Sequence, residues 1–218
     1  MNKLFKDIRH SDIEAVRAAI SKNITIVNEI YTAKAPKKDI GQSPLQVAIK
    51  CGEFEIIELL LENGADSDFM ENSALVPPQS VCMSVLHDAI IGVFSTLCYK
   101  QYSNSEKYVN LIKILLENGA NPNRKTSSKI LPIGMAVNRA EQILCYKSAY
   151  PDIQEITKKR LLEVLDLLIE YGADTEEWLN QDFWGVSNKV HYFEEKMYGI
   201  NNIDIREPIR VVLKEYFG

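Results

Sequence analysis

The stretch that decides the fold is Leu60-Leu61-Glu62-Asn63-Gly64-Ala65-Asp66, because two later stretches of the chain repeat it. Residues 115–121 read Leu-Leu-Glu-Asn-Gly-Ala-Asn, and residues 168–174 read Leu-Ile-Glu-Tyr-Gly-Ala-Asp. Self-similarity at nearly equal intervals is the sequence signature of a repeat architecture, in which each unit packs on its neighbours. The glycine that follows each apolar run is expected to end a helix in the left-handed conformation.

A second motif precedes each of these stretches. Residues 43–48 read Ser-Pro-Leu-Gln-Val-Ala, residues 84–89 read Ser-Val-Leu-His-Asp-Ala, and residues 131–136 read Leu-Pro-Ile-Gly-Met-Ala. Ser43 is a residue that caps helices, and Pro44 fits the first helical position, where its missing N–H costs nothing. Between the two motifs the apolar residues have helical spacing. Each unit is therefore predicted to be helix, turn, helix and then a glycine-headed loop.

These two motifs in this order resemble the ankyrin repeat family, whose units open with Thr-Pro-Leu-His-x-Ala and close with Gly-Ala-Asp or Gly-Ala-Asn. The resemblance covers residues 41–174. His87 matches the family's histidine, which supports a loop by hydrogen bonding, while Gln46 and Gly134 replace it in the other two units. Asp68 stands where the family usually has asparagine. The resemblance implies an all-α solenoid that recognises partner proteins.

We expect one domain over residues 1–218, with about five units at roughly 1–40, 41–80, 81–128, 129–180 and 181–218. The first unit is inferred from a capping box at residues 11–14, with Asn23 in place of the closing glycine. The last is inferred from Asp204-x-x-Glu207 before an apolar helical stripe, and aromatic residues ahead of it are expected to cap the stack: Trp178, Phe183, Trp184 and Tyr192.

The third and fourth units carry extra residues between their two motifs. Residues 93–102 and 137–150 contain neither glycine nor proline, which predicts two lengthened first helices lying side by side. Ser103 and Asp152 are then expected to cap the following helices. Two interpretations of the inserts stay open. Their aliphatic residues could be buried against each other (Phe94, Leu97, Ile143 and Leu144), or their tyrosines could face a partner.

A loop with an adjacent phenylalanine and methionine, residues 66–73, is expected to form an exposed finger. Residues outside the repeat motifs are available for partner choice, since the motif residues build the stack. The predicted protein-binding surface therefore consists of Phe69, Met70, Tyr99, Tyr102, Arg139, Glu141, Tyr146 and Tyr150.

The amino-acid composition limits the classes of partner and ligand that the chain is expected to bind. The chain has 25 lysines and arginines against 30 aspartates and glutamates, a net charge of −5, which argues against binding nucleic acid. Four scattered cysteines indicate thiols of a cytoplasmic protein, and no ligand spacing indicates a metal. The first ten residues do not resemble a signal peptide, and no apolar run is long enough for a membrane. We expect no cofactor and a monomeric free protein.

Three functions are consistent with the sequence. The first is a non-catalytic module that binds a partner protein. The second is a special case of it, because small acidic ankyrin proteins of bacteria serve as inhibitors of toxins and as secreted effectors. The third is an enzyme with a site in residues 175–218, where Asp182, His191 and Glu194 lie without a recognisable catalytic spacing.

Overall fold

The computed structural model describes residues 3–33, 39–76, 80–146, 151–180 and 207–217. Within these ranges the chain forms one 3-10 helix, Ile24–Asn28, and the α-helices α1 (Lys3–Arg9), α2 (Ile13–Lys22), α3 (Pro44–Cys51), α4 (Phe54–Glu62), α5 (Val85–Cys98), α6 (Tyr102–Glu117), α7 (Pro132–Tyr146), α8 (Pro151–Glu170), α9 (Thr175–Asn180) and α10 (Glu207–Phe217). Extended pairing in the described part of the chain is limited to one isolated bridge between Met70 and Ser84. The predicted all-α architecture is confirmed.

The helices pack as successive pairs: α1 on α2, α3 on α4, α5 on α6, and α7 on α8. The first helices form a continuous row in which α3 packs on α1, α5 on α3, α7 on α5, and α10 on α7. Ala48, Ala89 and Ala136 are completely buried in this row, and their small side chains let neighbouring helices approach. The large apolar neighbours in the same motif contribute about 1.5–3 kcal/mol each when fully buried.

The helix ends of the central units follow the predicted pattern. The hydroxyl oxygen of Ser43 accepts the backbone N–H of Gln46 at 3.2 Å, and Ser84 makes the same contact with His87 at 3.4 Å. The closing glycines Gly64, Gly119 and Gly172 have φ of +83°, +93° and +87°. A side chain is rarely tolerated at such an angle, which explains why glycine recurs at this position.

Helix starts elsewhere correct the prediction. Asp12, rather than Ser11, caps α2 by accepting the backbone N–H of Ala15 at 3.0 Å. Helix α6 begins at Tyr102 and α8 begins at Pro151, so Ser103 and Asp152 lie inside the first turn instead of capping it. A cap needs a residue with non-helical backbone angles, and these two positions are already helical.

Asn23 also differs from the expectation, since its φ of −154° is extended and not left-handed. The reason is that the 3-10 helix starts immediately after it. The Asn23 side chain accepts the backbone N–H of Thr25 at 3.1 Å and so caps that helix. The first unit therefore closes with a cap where the later units close with a glycine.

The inserts lengthen the helices of the third and fourth units, as predicted. The first helices α5 and α7 have 14 and 15 residues, whereas α3 has 8. The second helices lengthen as well, because α6 has 16 residues and α8 has 20, against 9 in α4. Phe94, Leu97, Ile143 and Leu144 are all buried in the common core. The interpretation that the inserts enlarge the core is confirmed for these four residues.

Trp178 packs between α7 and α10, the last two helices in the row. Its side chain is buried, its ring centroid lies 5.4 Å from that of Phe217 in α10, and Gly134 leaves room for the indole. Trp178 is therefore an interior residue of the described stack and, contrary to the expectation, does not cap its end, because α10 covers it. Phe183, Trp184 and Tyr192 lie outside the described residues, as do the three residues considered for catalysis.

A ladder of hydrogen bonds joins the loops that follow the second helices. The Asn28 side chain accepts the backbone N–H of Asp66 at 2.8 Å and donates to the carbonyl of Gly64 at 2.9 Å. Asn123 repeats both bonds further along, accepting from Asp174 at 2.7 Å and donating to Gly172 at 2.8 Å. An amide suits this position because it supplies one acceptor and one donor.

Asp68 takes the equivalent position between Asn28 and Asn123, and its carboxylate can accept hydrogen bonds but cannot donate them. It accepts the backbone N–H of Asn121 at 3.0 Å and pairs with the Arg124 guanidinium, whose Nε lies 3.0 Å away. The preceding residue supplies a donor instead, since the Ser67 hydroxyl donates to the carbonyl of Asn118 at 2.6 Å. Arg124 and Ser67 together compensate for the departure from asparagine at this position.

Asn123→Asp and Asp68→Asn should therefore change the unfolding free energy by different amounts. In Asn123→Asp the donor to Gly172 is lost, and the residue equivalent to Arg124 in that unit is Glu177, an acid. We expect this variant to lose about 1–2 kcal/mol of unfolding free energy in urea titrations. Asp68→Asn gains the donor but loses the Arg124 ion pair, and should change by less than about 1 kcal/mol. Equal losses would contradict the role assigned to Arg124.

Candidate functional site

The mismatch in helix length leaves a cleft where the third unit extends past the second. The α3–α4 turn at Gly52 forms one side, and the ends of α5 and α6 form the other, with Tyr99 at the α5–α6 turn. The cleft has a volume of about 320 Å³ and mixes aromatic, hydroxyl, amide and charged groups. Its lining includes Lys50, Cys51, Phe54, Asp88, Ile91, Ser95, Tyr99, Gln101, Asn104 and Tyr108.

Tyr108 fixes the geometry of this cleft. Its hydroxyl donates to the carbonyl of Ile49 at 2.7 Å, at the end of α3, and its ring stands edge-on to Phe54 with centroids 5.0 Å apart. Gly92 makes this possible, because a Cβ at that position would lie 2.4 Å from the tyrosine ring. Burial raises the pKa of Tyr108 to about 12, so the hydroxyl remains a donor.

A cluster of buried acidic and amide side chains surrounds the partly exposed Lys50 at the base of the same surface. The Lys50 ammonium is 2.8 Å from a carboxylate oxygen of Glu71 and 3.5 Å from one of Asp88. Glu71 also accepts from the Gln42 amide at 2.8 Å and from the backbone N–H of Met83 at 2.9 Å. This cluster joins α3, the loop after Gly64 and α5, so it fixes the second unit against the third.

Gln46 shows how glutamine replaces the histidine of the opening motif. The Nε2 of Gln46 donates to the carbonyl of Met83 at 3.1 Å, and the Nε2 of His87 lies 3.1 Å from the carbonyl of Ile130. Met83 and Ile130 occupy equivalent places, each just before the next opening motif. The predicted loop-supporting role of His87 is confirmed, and Gln46 performs it in the second unit.

Neighbouring groups in this region have opposite pKa shifts. Burial lowers the pKa of His87 to about 4, and burial raises the pKa of Asp88 to about 6. Both shifts have the same cause, since a buried site disfavours whichever form is charged. His87 is therefore neutral at physiological pH, with its Nδ1 accepting from the Ser84 hydroxyl at 2.8 Å.

The expectation that residues 66–73 form an exposed finger is wrong, because this loop packs on the next unit. Phe69 is half-buried against the core, and its carbonyl accepts the backbone N–H of Val85 at 3.1 Å. Met70 forms the bridge to Ser84 and is half-buried as well. The loop thus presents Met70 beside the opening motif of the third unit, while Phe69 holds the loop in place.

The tyrosines of the third unit lie at the tip that overhangs the second. Tyr99 is 76% exposed and is the most exposed of the large hydrophobic residues described. Tyr102 is half-buried, and its hydroxyl is 3.3 Å from a carboxylate oxygen of Asp152 on α8. These two residues place aromatic surface at the junction of the second, third and fourth units.

The predicted residues of the fourth unit are placed less uniformly. Arg139 is half-buried on α7 and donates to Gln142 at 3.2 Å, whereas Glu141 is buried inside the stack. Tyr146 is the last residue of α7, and Tyr150 lies outside the described residues. Glu141 is therefore positioned to support the helix, and Arg139 is the polar group nearer the surface.

Sequence reasoning did not identify Tyr108, Lys50 or Asp88 as residues that shape this surface. Tyr108 lies in an insert without a repeat motif, and its contact with Gly92 joins residues of two different helices. Asp88 directly follows His87 in the opening motif, so its position at the start of the helix could have identified it as a candidate residue. Its partners, however, come from α3 and a loop, which helical spacing does not reveal.

No group of three histidine, cysteine, aspartate or glutamate residues in the described ranges is arranged to hold a metal ion. Among the helices whose residues are described, none combines the length and the apolar character needed to span a bilayer.

Comparison with known proteins identifies the repeat. A family model described as ankyrin repeats, in three copies, matches residues 15–126. An ankyrin repeat protein of Rickettsia bellii (strain RML369-C) is 28% identical over 206 residues, which cover 92% of this chain and 46% of that protein. A second, from Rickettsia felis (strain ATCC VR-1525 / URRWXCal2), is 29% identical over 153 residues, or 70% of this chain and 49% of its own length.

The relatives are not confined to bacteria. An ankyrin repeat protein of fowlpox virus (strain NVSL) is 26% identical over 146 residues, covering 62% of this chain and 18% of the viral protein. The chain spans about half the length of the two Rickettsia proteins and less of the viral one.

The opposed pKa shifts of His87 and Asp88 predict how stability depends on pH. The His87 contribution is complete above pH 6.5 and is lost as the pH falls toward 4. The Asp88 contribution has the opposite sign, being complete below pH 3.8 and lost as the pH rises through about 6. In Asp88→Asn only the histidine remains, so stability should fall between pH 6.5 and 4 by on the order of 2–3 kcal/mol more than in the wild type.

Urea titrations at several pH values measure this difference, with His87→Gln as the control. That variant copies the arrangement already present at Gln46, and relative to the wild type its stability should rise as the pH falls through the same range. If all three proteins gave parallel pH curves, the two groups would not be titrating as their burial requires.

Proposed function

The chain belongs to the ankyrin repeat family, and on that basis we propose that it is a non-catalytic module that binds a partner protein through its row of first helices and loop tips. Ankyrin repeats generally mediate protein–protein interaction, and the family is not typically catalytic. The observation that carries the proposal is the cleft beside the exposed Tyr99, at the step between a short unit and a long one.

The size and chemistry of the cleft support a macromolecular partner. Its volume of about 320 Å³ is at the lower end of the range for small-molecule pockets. A space of this size suits one or two side chains inserted by a protein. Tyrosine is enriched at such interfaces because its ring buries apolar area while its hydroxyl still finds a polar partner.

Within the predicted surface, the residues have different tasks. Tyr99, Tyr102, Met70 and Arg139 contact the partner in this proposal, since each retains exposed surface. Phe69 and Glu141 hold the loop and the helix that carry those contacts. Tyr146, the last residue of α7, and Tyr150, which lies outside the described residues, stay predictions.

An inhibitor of a toxin and a secreted effector are two specific uses of such a module, and both would employ this surface. Identification of the partner separates them, since an inhibitor binds a toxin and an effector binds a protein of the host. A reducing compartment such as the cytoplasm is part of this proposal, which the four scattered cysteines of the sequence favour.

The proposal is tested by affinity capture with the full chain, identification of the captured protein and measurement of its Kd with purified components. Tyr99→Ala should weaken binding about tenfold or more, the loss of an interface anchor. Its melting temperature should stay close to that of the wild type, because the side chain is 76% exposed.

Tyr171→Ala provides the matched control, since Tyr171 is a half-buried tyrosine after α8, outside the cleft. It should leave the Kd unchanged. A Tyr99→Ala protein that binds as tightly as the wild type would place the partner elsewhere on the molecule.

A further inference from the structure

A second hollow lies between the second helices α4 and α6, on a different side of the helix pairs from the row of first helices. Neighbouring second helices pack on each other elsewhere, α2 on α4 and α6 on α8, whereas α4 and α6 leave a groove of about 230 Å³ between them. The Phe54 ring lines this groove and stands edge-on to the Tyr108 ring.

The floor of the groove is apolar. It consists of Phe54, Ile57 and Leu61 from α4, with Leu111 and Ile114 from α6. Phe54, Leu61 and Ile114 remain partly exposed, so the groove presents a continuous apolar strip about two helical turns long. A groove of this kind between two helices matches the way amphipathic helices dock, through apolar side chains three or four residues apart.

The margins of the groove carry an excess of negative charge. Glu55 and Glu58 line the α4 side, both are exposed, and neither has an ion-pair partner in the described part of the chain. Helix α4 contains no lysine or arginine that could neutralise them. The lysine lining the groove, Lys107, is directed toward the Phe54 ring, with its ammonium 5.2 Å from the ring centroid.

We propose that this groove binds an amphipathic helix of a partner protein whose apolar stripe is flanked by lysine or arginine. The apolar strip receives the stripe, and Glu55 and Glu58 pair with the basic flank. Charge complementarity of this kind selects among partners and accelerates their association. The acidic margin also disfavours an anionic lipid surface, and the volume is below that of small-molecule pockets.

This inference does not depend on the proposed function, because the two surfaces are formed by different residues apart from Phe54, which lines both. Two synthetic helical peptides test it by fluorescence anisotropy with the full chain. Both carry the same leucine stripe, one with lysines on the flanking positions and the other with glutamates there. The lysine peptide should bind at least tenfold more tightly than the glutamate peptide, and high salt should weaken it.

Variants of the groove locate that binding. Glu58→Lys reverses a marginal charge, Ile114→Gln removes apolar surface from the floor, and each should weaken the lysine peptide at least fivefold. Glu170→Lys reverses an exposed charge on α8 outside the groove and should weaken it less than twofold. Thermal melts of every variant establish that the fold is retained.

Several results would overturn the proposal. These are tighter binding of the glutamate peptide, equal effects of Glu58→Lys and Glu170→Lys, or peptide binding that Tyr99→Ala abolishes and Ile114→Gln leaves intact. Dimerisation of the chain that Ile114→Gln abolishes would assign the groove to a second copy and would overturn it as well.

Discussion

The contact between the Tyr108 ring and the backbone of Gly92 is the constraint on which the shape of this molecule depends. A repeat stack requires each helix pair to match its neighbour, yet here a pair of 8 and 9 residues meets a pair of 14 and 16. Tyr108 fills the resulting step, and its hydroxyl satisfies the Ile49 carbonyl at the end of the shorter helix. The glycine gives the ring room to lie directly on α5.

Two surfaces lie beside this step. On one side the longer unit overhangs the α3–α4 turn and forms the cleft beside Tyr99, which we associate with a protein partner. The Phe54 ring, against which Tyr108 packs, also lines the apolar groove between α4 and α6, whose margin carries Glu55 and Glu58. Residues of the repeat motifs, such as Ala48, Ala89 and Ala136, are fully occupied by stacking. These motif residues are therefore not available to a partner.

The sequence was sufficient for the features that obey local rules. Gly64, Gly119 and Gly172 predicted their left-handed angles, and the inserts without glycine or proline predicted long helices. The features that differ from the prediction depend on tertiary contacts. Ser11 lost the capping role to Asp12, and Asn23 became extended because it caps the next helix. Glu141 was buried by packing that no spacing revealed. The cleft depends on Tyr108, whose partners lie 16 and 59 residues away, so a pattern along the chain could not predict it.

The claim that the Tyr108 ring is held against Gly92 is tested most directly by the sign of the change in unfolding free energy that Gly92→Ala causes. In an ordinary helix Gly→Ala stabilises by up to about 1 kcal/mol. Here Gly92→Ala should destabilise by about 1–3 kcal/mol in urea unfolding, because the new methyl group meets the Tyr108 ring. In a Tyr108→Ala background, the same substitution should become stabilising. If Gly92→Ala stabilised the protein with Tyr108 intact, the ring would not be held against α5, and the origin assigned to the cleft would be wrong.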